Sequence, residues 1–353
     1  MLRSPKSRLA SAVAVAAAVC ALGAATATAA AAAPTPLGPW SGRQGPVPHA
    51  FTNASPSMTS VLFPGSANFR TLVAWKGQAG AHVFYEYTPA GTSRWSGLAS
   101  IPGASTSAAP SVAAYTDPAG RSAVLAVWKG RGSDRIFYAQ GETRGDGAVA
   151  WTAPATLPGS EYFTTRTAPT VFFPLHSYAA VIAYKGPFNH IRYVIGTPLH
   201  RGFVWSQSHW IAPNALASSA AGVGELETGT AAGTLEVFWR GLHTSQVFYS
   251  TTGDPLTRAV GLTWTAVTPL AGSLTSAAPA VAAVGLHGGG PLLLAYKAPH
   301  SVHILYRTLV GGAWSLPAIV PGAQSTDGPA LLRGILATTS PAASGNIFFH
   351  VYS

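Results

Sequence analysis

An aromatic residue, a cation and a glycine recur in that order along this chain, and the recurrence restricts the fold more than any other feature. The copies are Trp75-Lys76-Gly77, Trp128-Lys129-Gly130, Tyr184-Lys185-Gly186 and Trp239-Arg240-Gly241, with Tyr296-Lys297-Ala298 as a fifth that lacks the glycine. An aliphatic–any–Tyr triplet follows each: Val83-Phe84-Tyr85, Ile136-Phe137-Tyr138, Ile191-Arg192-Tyr193, Val247-Phe248-Tyr249 and Ile304-Leu305-Tyr306, with Ile347-Phe348-Phe349 as a sixth near the end. A tryptophan then closes each unit, at positions 40, 95, 151, 205, 264 and 314, with spacings of 55, 56, 54, 59 and 50 residues. Proline opens a new apolar run after most of them, at Pro56, Pro110, Pro169, Pro279 and Pro329.

Each unit therefore holds four short β-rich segments separated by Gly, Pro, Ser, Thr or Asn, which is the format of a propeller blade. No segment sustains a 3.6-residue apolar period, so a helical solenoid does not fit. The ends of the chain complement each other. Trp40 belongs to a fourth strand with no first three before it, and the stretch from Pro329 to Tyr352 supplies first, second and third strands with no tryptophan after them. Joining the two predicts an all-β, six-bladed propeller whose last blade is closed by the N-terminal strand around Trp40. Such closure removes the open sheet edges of a linear array.

Apolar residues make up 48% of the chain and charged ones only 9%, with 38 Gly and 28 Pro, as many short strands require. The first 33 residues read differently. Arg3, Lys6 and Arg8 precede an apolar run to about Leu22, and small residues follow to Ala33, the order of a secretory signal peptide. The expectation is a signal peptide over 1–33, a propeller over 34–353, a secreted monomer, and no stable membrane insertion after cleavage. Cys20 is the sole cysteine and falls in the signal, so no disulfide and no cysteine-based metal site is expected in the rest.

Side chains alternate along a strand. Leu72, Ala74 and Lys76 therefore share one face and Val73 and Trp75 the other, so that aromatic and cation of one blade address different neighbours. Outside the signal only four lysines occur, Lys76, Lys129, Lys185 and Lys297, all at the motif position, where the remaining copy has Arg240. Two readings of this ring stand side by side. In one the cation is scaffold, its stem along a neighbouring aromatic and its head capping carbonyls. In the other, the ten residues Trp75, Lys76, Trp128, Lys129, Tyr184, Lys185, Trp239, Arg240, Tyr296 and Lys297 form shallow inter-blade sites for sugar hydroxyls or acidic groups.

The repeat resembles the tandem propellers of secreted actinobacterial proteins. It is distantly similar to bacterial propeller lectins of the fucose-binding type, which carry an aromatic–x–Arg–Gly strand end in each blade. That resemblance implies glycan binding at several equivalent sites, although Lys replaces Arg in four of five copies here. Sialidase-type propellers carry Ser-x-Asp-x-Gly-x-x-Trp turns. The nearest stretch here, Gly261-Leu262-Thr263-Trp264, has Ala259 where the aspartate would stand.

Enzymatic chemistry finds little material. The chain has 11 acids, and only Glu225, Glu227 and Glu236 cluster, with an ion pair between Glu236 and Arg240 expected. A glycoside hydrolase acting at the axial channel would need a carboxylate pair. His190, His243 and His300 follow the cation motif on the same turn in three blades, where exposed polar turn residues are expected. No HExxH, nucleophile elbow or phosphate loop occurs, and no metal or cofactor is expected. The expected function is non-enzymatic, lectin-like recognition of a glycan or another anionic extracellular ligand. The alternatives are a sialidase-like glycoside hydrolase and an extracellular protein-interaction scaffold. A charge of about +7 beyond the signal is spread around a ring, so nucleic acid is not an expected partner.

Overall fold

The computed structural model describes residues 40–352 apart from 90–93, 159–162, 176, 200–201, 227–232, 254–260, 285–289 and 342–344. The signal-peptide expectation therefore lies outside the described residues. The rest forms six antiparallel sheets arranged as a propeller, each built from consecutive strands. Blade one comprises Ser57–Leu62, Phe69–Lys76, His82–Pro89 and Ala99–Ser105. Blades two to five begin with inner strands Ser111–Thr116, Thr170–Phe172, Ala217–Leu226 and Ala280–Ala283. Blade six has Ala330–Leu332, Ile335–Thr339 and Ile347–Val351, and its outer strand comes from the other end of the chain: Trp40 bridges Tyr352, Gln44 bridges Phe349 and Phe51 bridges Asn346.

The repeated residues define the seams between blades. Leu72 and Ala74 pack with Trp128 of blade two, whereas Val73 and Trp75 pack with Ala337 and Ile347 of blade six, as strand alternation requires. The closing tryptophan of each blade meets an aromatic of the blade before it. Trp151 lies 5.6 Å from Tyr85, Trp205 5.2 Å from Tyr138, Trp264 5.5 Å from Tyr193 and Trp95 5.4 Å from Phe349. Trp314 meets Phe238 at 5.6 Å, and Trp40 meets Tyr306 at 5.4 Å. The ring of contacts passes through the chain-closing strand without interruption.

At the axis, the inner strands expose one edge each, and an unpaired edge leaves backbone groups to be satisfied. Hydroxyls from the preceding blade do this. Ser57 Oγ accepts from Val112 N–H at 3.0 Å, Thr59 Oγ1 from Ala114 N–H at 2.7 Å and Ser111 Oγ from Val171 N–H at 3.0 Å, while Thr170 donates to the Ala221 carbonyl at 2.6 Å. Pro56, Pro110, Pro169, Pro279 and Pro329 each stand one residue before an inner strand, where a missing N–H costs nothing.

Candidate functional site

One end of the propeller carries both the turns between second and third strands and the connections between blades, and here all the repeat cations end. The glycine of the motif has a steric cause. A β-carbon at Gly77, Gly130 or Gly241 would stand 2.7, 2.5 and 2.5 Å from the ring of Phe84, Phe137 and Phe248. Those phenylalanines lie 6.3, 6.3 and 6.4 Å from Trp75, Trp128 and Trp239, so glycine makes the room in which the third-strand ring meets the second-strand indole. Blade five has alanine at this position and pairs Tyr296 with Leu305, a residue without the ring.

Trp75, Trp128, Tyr184, Trp239 and Tyr296 are 0–1% exposed. They are core, and no face of them is open to a sugar. Four of the five cations are engaged by their own structure. Lys76 donates to Asn53 Oδ1 at 2.7 Å, Lys129 to Ser107 Oγ at 2.9 Å and Lys297 to Ser276 Oγ at 3.0 Å, and Arg240 reaches the carbonyls of Thr244 and Ser276 at 2.9 and 3.1 Å. Apart from the Thr244 carbonyl, which lies on Arg240's own turn, these acceptors lie on the connections that lead into inner strands. There Thr52, Thr106, Thr165 and Thr275, all buried, fold the chain by bonding their hydroxyls to the residue two positions on.

Lys185 is different. It is half-buried and no acceptor among the described residues bonds its ammonium, and burial followed by the nearby charge of Arg166 holds its pKa below the usual lysine value. Blade three departs from the repeat around it. Arg192 occupies the place of Phe84, Phe137 and Phe248, and its Nε donates to Ser208 Oγ at 2.6 Å, which also bonds the Tyr184 hydroxyl. The guanidinium lies 5.6 Å from the ring centre of Trp210, and His190 stacks on that indole at 5.1 Å with the planes 9° apart. Held in this way, Trp210 remains 50% exposed.

The turn that joins Lys185 to His190 carries a further departure. The third residue after the cation has positive φ in four blades: Gly132 at 68°, Phe188 at 59°, His243 at 58° and His300 at 54°. Glycine accepts this conformation freely and a bulky residue does not. Phe188 adopts it while 86% exposed, so no packing offsets the strain. Of the three histidines on these turns, His243 and His300 are exposed turn residues as expected, and His190 instead belongs to the aromatic stack. Trp210, Arg192 and Phe188 escape a reading that follows what repeats. The available signal was the break in pattern at Ile191-Arg192-Tyr193.

The axial channel offers a cavity of about 280 Å³ lined by the six inner strands. Glu225 is its only acid among the described residues, and both carboxylate oxygens are taken, by Leu175 N–H at 2.7 Å and Gly233 N–H at 3.1 Å. Glu236 faces the seam with blade five, beside Phe238. It makes no ion pair with Arg240, because residues four apart on one strand face lie about 13 Å from each other. Instead Glu236 accepts from the Thr251 hydroxyl at 3.3 Å, and burial raises its pKa to about 7. Glu227 lies outside the described residues. No group of three or more His, Cys, Asp or Glu suited to a metal occurs among the described residues.

No family model and no curated protein matches the chain. Solved propellers share its fold. A point mutant of the NanB sialidase from Streptococcus pneumoniae superposes with a TM-score of 0.58 at 10% identity, over 88% of this chain and 70% of that one. A mutant α-L-arabinofuranosidase from Fusarium graminearum, in complex with an iminosugar inhibitor, gives 0.57 at 12% identity, over 91% and 98%. The SapL1 lectin in complex with α-methyl fucoside gives 0.54 at 12% identity, over 86% and 94%. The similar structures thus include both lectins and glycoside hydrolases, and at such identity they establish the fold alone.

Proposed function

We propose that this protein is a secreted, non-enzymatic glycan-binding propeller, and that its ligand is held at blade three on the motif-bearing end. The observation that carries this reading is Trp210, a half-exposed indole held in contact with His190 and Arg192. Aromatic rings bind the apolar faces of sugars well when they are rigid and part-exposed, since little side-chain freedom is lost on binding. The repeated inter-blade sites suggested by the motif are replaced here by one divergent blade, because the motif aromatics are buried. A hydrolase at the axis receives less support, with its single described carboxylate bonded to two backbone amides.

The test is a glycan array probed with residues 34–353 and with the Trp210→Ala variant. Binding to a defined set of glycans, weakened at least tenfold by the variant at unchanged melting temperature, is the expected result. A wild-type protein that binds no glycan, or a variant that binds as well as the parent, would overturn the reading.

A further inference from the structure

We infer that the seam between blades two and three, on the same end as Trp210, takes the acidic groups of an anionic polysaccharide. This inference rests on the glycan-binding reading and specifies the class of glycan. Five cations are carried by three elements that border this seam. Lys129, Arg131 and Arg135 belong to the turn between the second and third strands of blade two. Arg166 lies on the connection to blade three, and Lys185 ends the second strand of that blade.

The backbone fixes these elements together. Arg135 pairs with Thr164 in a bridge, Asp134 O accepts from Thr165 N–H at 2.6 Å, and Phe163 O accepts from Ile136 N–H at 3.3 Å. The positions of Arg135 and Arg166 are therefore coupled through two residues of extended chain. Arg131 and Arg135 are exposed, and Arg166 is 86% exposed in its side chain.

Among the described residues a single acid faces this group. Asp134 stands 3.3 Å from Lys129 Nζ and 3.8 Å from Arg166 Nε, so among the described residues the cations outnumber the acid they share, in a chain poor in charge. Elsewhere on this end the motif cations are bonded to Asn53 or to Ser276, but Lys185 has no acceptor among the described residues and is repelled by Arg166. Like charges gathered in excess of their partners destabilise the folded state and favour an anion that neutralises them. Guanidinium groups match carboxylate, sulfate and phosphate oxygens in bidentate geometry. Several such groups over neighbouring elements suit a chain that carries charges at intervals better than one small anion.

The experiment compares retention of residues 34–353 on immobilised alginate, heparin, lipoteichoic acid and neutral dextran, with single-stranded DNA as competitor. The variants are Arg131→Ser/Arg135→Ser/Arg166→Ser, whose side chains are exposed, and the control Lys76→Met/Lys297→Met on the same end. Expected are binding to at least one acidic polymer that weakens with salt, a tenfold or greater loss in the triple variant, and a smaller change in the control. The three acidic polymers distinguish carboxylate, sulfate and phosphate as the group recognised. Equal retention of triple variant and parent would overturn the inference, as would equal losses in triple variant and control, or DNA displacing the protein from every polymer at lower concentration than the polymers themselves. If neutral glycans bind through Trp210 while acidic polymers bind no better than dextran, this inference fails and the glycan reading stands. If no glycan binds at all, both fail.

Discussion

Gly130 lies beneath the ring of Phe137, so close that a β-carbon would come within 2.5 Å of the ring's Cε2 atom. The contact explains why glycine follows the cation in blades one, two and four. Replacing Gly130 with alanine must push the Phe137 ring against Trp128, which has no free space, and overpacking of this kind costs about 1–3 kcal/mol. Blade five shows the compensation, with Ala298 in the glycine place and Leu305 in the phenylalanine place. Gly130→Ala is expected to lower the urea midpoint, and Gly130→Ala with Phe137→Leu to recover part of that loss. A double-mutant cycle with no coupling between the two would contradict the steric account.

The clasp between the chain ends depends on Trp40, which is 7% exposed and lies 5.4 Å from Tyr306 and 5.1 Å from Tyr352. Trp40→Ala removes an indole shared by the last two blades, and large-to-small changes of this type cost about 3–5 kcal/mol. The loss should concentrate at the closing strand, because only a few bridges attach residues 40–51 to blade six. Thermal denaturation with limited proteolysis checks this. Cleavage within 41–50 is expected to appear before the global transition. Cleavage that begins in the inner blades would mean that the clasp does not hold the ring closed.

What the repeat determines was legible in the chain, and the reason is internal comparison. Six tryptophans against five cation motifs reveal that one unit is split between the ends, and alternation around Trp75 gives the faces of the second strand. Burial of the motif aromatics was not legible. Trp75 has the same neighbours in sequence whether its ring meets a core or a solvent groove, and only the positions of Phe84 and Val73 in three dimensions decide it. The candidate site was hidden for the opposite reason. Arg192, Phe188 and Trp210 matter because they occur once, whereas the comparison that reveals the fold attends to residues that recur.

Stability should fall as pH rises from about 4.5 through about 7. Glu86 is fully buried, with neither carboxylate oxygen hydrogen-bonded among the described residues, and burial raises its pKa to about 7; burial likewise raises Glu236 to about 7. The native state then holds both protons at pH values where the unfolded chain, titrating near 4.5, has released them. The unfolded state binds fewer protons in this window, so the stability present below pH 4.5 is lost as pH passes through 7. The loss is about 1–3 kcal/mol for each group. Glu86→Gln with Glu236→Gln mimics the protonated acids and should flatten the profile measured by urea denaturation. The same slope in parent and double variant would assign the dependence to other groups.

Arg307 joins blades four and five through hydrogen bonds that a lysine cannot reproduce. Its Nε donates to the Ser315 carbonyl at 2.5 Å, and its Nη1 donates to the Ala271 carbonyl at 2.7 Å and to Ser273 Oγ at 2.9 Å. The side chain is buried, and burial holds its pKa below the usual arginine value. Arg307→Met would leave two carbonyls without this donor in a seam closed to water, at about 2–4 kcal/mol. Arg307→Lys should restore little, because one ammonium cannot reach both the outer strand of blade four and its own blade's turn with the spread of a guanidinium. Hydrogen exchange gives the discriminating readout. In both variants the amides of Thr268–Leu274 are expected to lose protection before those of the inner strand Ala217–Leu226, since the arginine ties down only the outer strand of blade four. Uniform loss across the blade would show that Arg307 supports the whole seam and not its rim.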